Sequence, residues 1–338
     1  MKKIAAVLML LAALLAQASA REITDMAGRK VTIPNDLKKV YAPSPYGAYM
    51  MYAIAPDLMS GLVFLPKESD KKFLPKALLN LPVIGGGPGL TANPEMYVKT
   101  GTQLLVIWRA EPRPIDERTT ATLDKLNIPY VIVDATTLAD YPKAIRFLGA
   151  LTHREAHAEK MAQAAEKILA DTQAAVAKVP PNQRPRVYYA EGVDGLSTEC
   201  NDSIHVQLLT LAGDLDVHRC HTASHMGMEK ISLEQVMLYQ PDVILAQESM
   251  FTAKVYSDPA WAQVKAVREH HVYLIPRLPL NWFDRPPSFM RFAGLEWLTN
   301  KLYPRQYPID IHKETQKFYS TFLGVKLSDQ DVAEILGQ

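Results

Sequence analysis

An internal repeat constrains this chain more than any other feature. Residues 93–108 (Asn-Pro-Glu-Met-Tyr-Val-Lys-Thr-Gly-Thr-Gln-Leu-Leu-Val-Ile-Trp) return in register, degenerate, at 232–247 (Ser-Leu-Glu-Gln-Val-Met-Leu-Tyr-Gln-Pro-Asp-Val-Ile-Leu-Ala-Gln). Each copy offers a polar helix cap, a Glu two positions on, a short helix, a turn and an unbroken apolar run. That run has the pattern of a parallel strand covered on both faces. Glu95 and Glu234 occupy the same place in the two copies. A carboxylate in a first helical turn complements the helix dipole; a matched pair of docking charges is the functional alternative.

Apolar runs alternate with helical stretches through both halves. They fall at 40–42, 61–65, 83–84, 104–108 and 130–133 in the first, and at 186–190, 243–246 and 272–275 in the second. Such alternation predicts parallel sheets with crossover helices. Between the halves, residues 153–179 lack Gly and Pro, and Met161, Ala165, Ile168, Leu169, Thr172, Val176 and Val179 recur at spacings of three and four. This predicts one helix about 40 Å long, a strut that would restrain closure; an ordinary surface helix of the second lobe is the alternative. The expectation is an α/β chain of two pseudo-symmetric parallel-sheet lobes, residues 21–150 and 181–338, joined by one long α-helix within 151–180.

The first residues set the compartment. Lys2 and Lys3 precede an apolar stretch over 4–16, and Ala18-Ser19-Ala20 supplies the small residues of a cleavage site. Residues 1–20 thus read as a signal peptide cut after Ala20. The stretch is too short to span a bilayer, and no other segment reaches the roughly 20 apolar residues required. No Cys follows to carry a lipid. A monomer in the periplasm, not inserted in the membrane, is expected. Loss of Lys2 and Lys3 takes the formal net charge from +1 to −1, a balance that excludes an electrostatic footprint for nucleic acid.

With the export signal, the twin lobes, the connecting helix and the paired Asn-Pro-Glu and Ser-Leu-Glu positions, the chain resembles the helical-backbone (class III) periplasmic solute-binding proteins of ABC importers. That family carries ferric siderophores, haem, cobalamin and molybdate. The opening Ile23-Thr24-Asp25-Met26-Ala27-Gly28-Arg29 is similar to the family's usual amphipathic hairpin. The resemblance implies that Glu95 and Glu234 engage basic pockets on an inner-membrane permease dimer. It does not name the cargo, since one scaffold serves many ligands.

Open α/β sheets bind ligands beyond the carboxyl ends of their strands, so the candidates are sought there. In the first lobe these are Tyr46, the glycine run with Gly86 and Gly87, Trp108 and Arg109. Glycines allow backbone N–H groups close to an anion, although a plain tight turn is equally served. Arg109 follows its strand directly and offers a fork of donors to an anion; Trp108 serves as a flat wall or as core. In the second lobe, Asn281-Trp282-Phe283-Asp284-Arg285-Pro286-Pro287-Ser288 precedes a helix that its prolines and Asp284 or Ser288 could start. An adjacent Trp, Phe and Arg in one loop go beyond that role, and Trp282 and Arg285 are expected on the ligand. Similar Trp-Phe-Asp-Arg-Pro-Pro stretches occur in a subgroup linked to iron complexes and to molybdate or tungstate, which leaves both ligand classes open.

Cys200, His205, His218, Cys220, His221 and His225 crowd one segment, and these are the only cysteines. In an oxidising compartment Cys200 and Cys220 read most simply as a disulfide closing a loop of about 20 residues, worth roughly 3 kcal/mol. A soft-metal site is the other reading, with His221 and His225 at helical i, i+4 spacing, His218 nearby and Cys220 adjacent. His205 opens a helix and either faces the cargo or lies at a solvated helix start. The chain lacks Gly-x-Ser-x-Gly, His-Glu-x-x-His and Walker sequences, so no enzyme is expected; a metal-binding periplasmic enzyme or chelatase built on the histidines is the rival class. The sequence therefore reads as a receptor, without an intrinsic cofactor, for a metal-containing anionic complex. A ferric siderophore-type complex leads and a molybdate or tungstate oxyanion is the runner-up.

Overall fold

The computed structural model describes residues 20–86, 94–110, 115, 117–213, 215–222 and 227–338. Residues 1–19 of the expected signal peptide, Gly87 and His225 lie outside them. The chain divides into two compact units, 1–162 and 163–338. The division falls inside the α-helix Glu155–Val176.

Unit 1 opens with an antiparallel hairpin of β1 (Ala20–Thr24) and β2 (Lys30–Pro34). Gly28 takes a left-handed φ of 81° in its turn. The buried Asp25 carboxylate accepts from the N–H groups of Ala27, Arg29 and Ile132, which pins the hairpin to the central sheet. That sheet is parallel, in the order β3 (Val40–Tyr41), β4 (Leu104–Arg109), β5 (Tyr130–Asp134). Every residue of β4 up to Trp108 is buried, as a strand covered on both faces requires. The runs at 61–65 and 83–84 do not become strands: they meet only in a single bridge, Leu62 to Val83. Pro66 directly after the first run and Pro82 directly before the second bound them and keep each too short to extend a ladder, and Phe64 and Leu65 are left exposed.

The long helix is shorter than its sequence pattern. His153 is not its first residue but the left-handed C-cap, φ 56°, of the preceding helix Tyr141–Thr152, so 22 residues remain, about 33 Å. Its buried stripe is Ala158, Met161, Ala162, Ala165, Ile168, Thr172 and Ala175.

Unit 2 is built on a parallel sheet in the order β11 (Val272–Leu274), β10 (Val243–Ala246), β6 (Arg186–Ala190), β8 (Leu215–Asp216). A small antiparallel pair, β7 (Ser197–Thr198) with β9 (Glu229–Lys230), lies beside it in sequence. Central β10 is wholly buried, whereas edge strand β11 is only half-buried. A second apolar layer joins Phe289, Phe292, Phe318 and Phe322 in ring contacts as close as 4.2 Å.

Candidate functional site

The strand ends of unit 2 carry a charged cluster that no single stretch of sequence announces. Glu191 follows β6, Gln247 follows β10, and the loop after β11 brings Asn281 to Arg285 back over them. Asn281 fixes that loop: its Nδ2 donates to Gln247 Oε1 at 3.1 Å, and its Oδ1 accepts from the N–H groups of Phe283 and Asp284 at 2.7 and 3.0 Å. Tyr189 donates to the same Gln247 oxygen.

Arg285 stands at the centre. Its Nε donates to Glu191 Oε1 at 2.6 Å and its Nη2 to Glu191 Oε2 at 3.3 Å, and Nη2 also donates to Glu199 Oε1. Asp284 Oδ2 lies 3.6 Å from Nε. The three carboxylate side chains are at most 1% exposed, while the arginine is 20% exposed, so only the cation retains contact with solvent. Glu199 is further held by Ser203 Oγ and by the N–H of Met228, both at 2.8 Å. A side chain on Gly227 would collide with that carboxylate. Arg285 itself has φ 60°, a left-handed conformation that costs a non-glycine residue about 1–3 kcal/mol and persists only where its surroundings impose it.

Burial pushes the Glu191 carboxyl up to about 7, against the opposing pull of Arg285. Burial works against the guanidinium's charge, but its carboxylate partners hold it protonated more firmly than an ordinary arginine. His205 is buried rather than solvated, in a 3-10 turn capped by Ser203, and its Nδ1 is 2.7 Å from Asp284 Oδ2. Arg285, His205, Glu191, Glu199 and Asp284 thus form one network, of which the sequence pointed to Arg285 and His205 as site residues and to Asp284 only as a helix cap. Glu191 could have been found by its place directly after a strand. Glu199 carried no such signal.

Trp282 corrects an expectation. It is fully buried, its Nε1 donates to Tyr319 Oη at 3.3 Å, and its backbone N–H bonds Pro276 O. The indole is a core ring that anchors the loop, not a wall open to a ligand. Trp108 likewise belongs to the core: 7% exposed, it donates to Ala135 O and packs edge-on against Tyr141 at 5.1 Å.

At the strand ends of unit 1, Arg109 pairs with Asp134, its register partner on β5. Nε donates to Oδ1 at 2.9 Å and Nη2 to Oδ2, with the two side chains 25% and 33% exposed. Half-buried Tyr46 lies in the first turn of the helix Pro45–Ile54, capped by Ser44. Gly86 is required by close approach, since an added Cβ would lie 2.0 Å from Pro43 O.

Glu95 and Glu234 are both exposed, in the first turns of the helices Pro94–Lys99 and Leu233–Tyr239. Hydrogen bonding to backbone N–H and to Ser232 lowers the Glu234 carboxyl. An apolar side chain stands exposed one turn beyond each: Val98 at 74% and Leu238 at 76%.

Cys200 and Cys220 are joined in a disulfide, with Cα atoms 5.0 Å apart. Although their sulfurs and a His218 nitrogen lie within 4.8 Å of one another, oxidised sulfurs are not thiolate ligands. His218 Nδ1 meets Tyr239 Oη, and exposed His221 meets Asp202. His221 sits in a loop rather than a helix, so the helical spacing argument for a metal pair does not hold for it.

The periplasmic binding protein family model matches residues 105–278. Over 94% of this chain, the structure is similar to that of an ABC transporter solute binding protein from Sulfurospirillum deleyianum DSM 6946, with 34% identity, a TM-score of 0.87 and 99% of that chain covered. The molybdate-binding protein MolA of Haemophilus influenzae is 24% identical over 332 residues, 89% of this chain and 90% of MolA. The vitamin B12-binding protein of Salmonella typhi is 29% identical over 196 residues, 57% of this chain and 66% of that protein.

Proposed function

The chain belongs to the periplasmic binding protein family, with the class III fold of ABC importer receptors, and from that premise we propose that it captures a metal-containing anionic complex and delivers it to an inner-membrane permease. The observation that carries this reading is Arg285, held in a left-handed conformation by buried carboxylates at the strand ends of unit 2. A strained, partly exposed cation in a polar network is the kind of feature that accumulates at ligand sites. Burial raises the Glu191 carboxyl, so an anion that settles on Arg285 and offsets its charge favours proton uptake there, which removes the like charge beside it.

A ferric siderophore-type complex is the leading cargo; taken unit by unit, the candidate contacts are Arg285, backed by the buried His205–Asp284 pair, in unit 2, and Arg109, Tyr46 and Gly86 in unit 1. A molybdate or tungstate oxyanion is the second reading, favoured by the match to MolA across 89% of this chain. In this account Glu95 and Glu234 dock the permease, and the neighbouring Val98 and Leu238 add apolar contact beside each charge. Export through a signal peptide cut after Ala20 places the receptor in the periplasm. Among the described residues no helix is long and apolar enough to cross a membrane.

Native mass spectrometry with metal analysis of protein taken from the periplasm tests the cargo. An iron-bearing adduct of several hundred daltons is expected. A bare tetrahedral oxyanion would establish the second reading, and a metal-free organic ligand would overturn both.

A further inference from the structure

Unit 2 contains a cavity of about 170 Å³ built by helices rather than by strand ends. Ile168, Tyr307, Phe318 and Phe322 give it apolar walls, and Glu296 lines it from the helix Arg291–Leu302. Glu296 is 8% exposed, and among the described residues no hydrogen bond reaches its carboxylate. Burial pushes that carboxyl up to about 7.

Lys317 and Lys167, which also line the cavity, attract its charge without cancelling the effect of burial. Lys167 bonds Asp171, and Lys317 bonds Glu314 at 2.8 Å. With both ammonium groups already matched to carboxylates, an ionised Glu296 is the unbalanced charge of the group. An acid withdrawn from water, facing a cavity and lacking a donor is costly unless a cation meets it.

We propose that this cavity binds a compact organic cation, its ammonium on Glu296 and its apolar body against Phe318, Phe322 and Ile168. Cavities of this size hold ligands the size of benzene, so the class is a monoamine of about six to eight heavy atoms. The site does not involve the strand-end network and stands or falls independently of the cargo reading.

Calorimetric titration of the exported protein at pH 8 with benzylamine, and with benzyl alcohol as its neutral isostere, tests the proposal. Saturable benzylamine binding is expected, with benzyl alcohol weaker by about tenfold or more, in line with a hydrogen bond to a charged group. Glu296→Gln should weaken benzylamine to the level of the alcohol. Lowering the pH from 8 to 5.5 should cost the wild-type protein about tenfold or more, as a carboxyl titrating near 7 is protonated. Glu296 titrates there among Lys167, Asp171, Tyr307, Glu314 and Lys317, the charged and titratable groups that share the cavity with it. Should Glu296→Gln fail to fold, Thr321→Trp, at a half-buried lining position, should abolish binding by filling the space. Equal affinity for amine and alcohol, pH-independent binding, or no saturable binding at all would overturn the proposal.

Discussion

Both units set an arginine at their strand ends, but in opposite electrostatic settings. Arg109 shares one carboxylate, Asp134, and both side chains keep a quarter to a third of their surface in water. Arg285 faces Glu191, Glu199 and Asp284, all withdrawn from solvent. Water and salt screen the first pair, whose worth is about 0–1 kcal/mol. In the second, each buried ion carries a desolvation penalty of several kcal/mol that its partner must offset. Electrostatic strain gathers in the second setting: Glu191, Asp216 and Glu296, each driven up to about 7 by burial, all belong to unit 2.

The largest expected effect comes from Arg285→Ala. It strands buried carboxylates and should lower unfolding free energy by about 3–5 kcal/mol, measured by denaturant titration at pH 7.5. Repeating the measurement at pH 5, where Glu191 is protonated, should recover part of the loss. A variant as stable as wild type would dissolve the contrast between the units.

Stability against pH comes next. Asp and Glu titrate near 4 in the unfolded chain, and burial raises Asp216 and Glu296 to about 7. The folded state therefore holds these protons more tightly. The resulting stability is complete below about pH 4 and is lost as pH rises through 7, by on the order of 1–3 kcal/mol per group. Unit 1 contributes the opposite sign at Asp140. Burial opposes its charge, but hydrogen bonds from Thr137 and Thr136 hold its carboxyl low, so its contribution is present above pH 4 and lost as pH falls through its depressed value. Denaturation curves at pH 5, 6, 7 and 8 should show declining stability, flattened in Glu296→Gln; stability rising over that range would contradict the assignment.

A smaller effect is expected in unit 1. Arg109→Ala should cost less than about 1 kcal/mol, and moderate salt should reduce the difference further. A loss matching that of Arg285→Ala would show that exposure does not separate the two sites.

The repeat exposed the parallel strands and the matched first-turn glutamates because both are local patterns. The network around Arg285 was not legible in the same way: Glu199 and Glu191 lie 86 and 94 residues from Arg285, and His205 lies 79 from Asp284, so they meet only through the crossings of the sheet. Trp282 shows the limit from the other side. A Trp in a polar, proline-rich loop reads as a ligand wall, yet the indole N–H found Tyr319 and the ring filled the core. Arg109 was expected just after its strand and is instead the last residue of β4; its pairing with Asp134 depends on the register of β4 against β5, which residue spacing alone does not fix. The stretch 61–84 misled because its apolar content survived where the flanking Pro66 and Pro82 cut both runs too short to extend a ladder beyond one bridge.

Glu95 and Glu234 should matter least to the fold, since exposed substitutions of this kind usually move stability by less than about 0.5 kcal/mol. They should matter most to delivery, and the direct test of the receptor account is uptake of the copurifying metal by cells carrying the Glu95→Ala, Glu234→Ala double variant. The account predicts unchanged ligand affinity and uptake reduced at least about tenfold, as when 1.4 kcal/mol of docking is lost. Wild-type uptake by the double variant would contradict it.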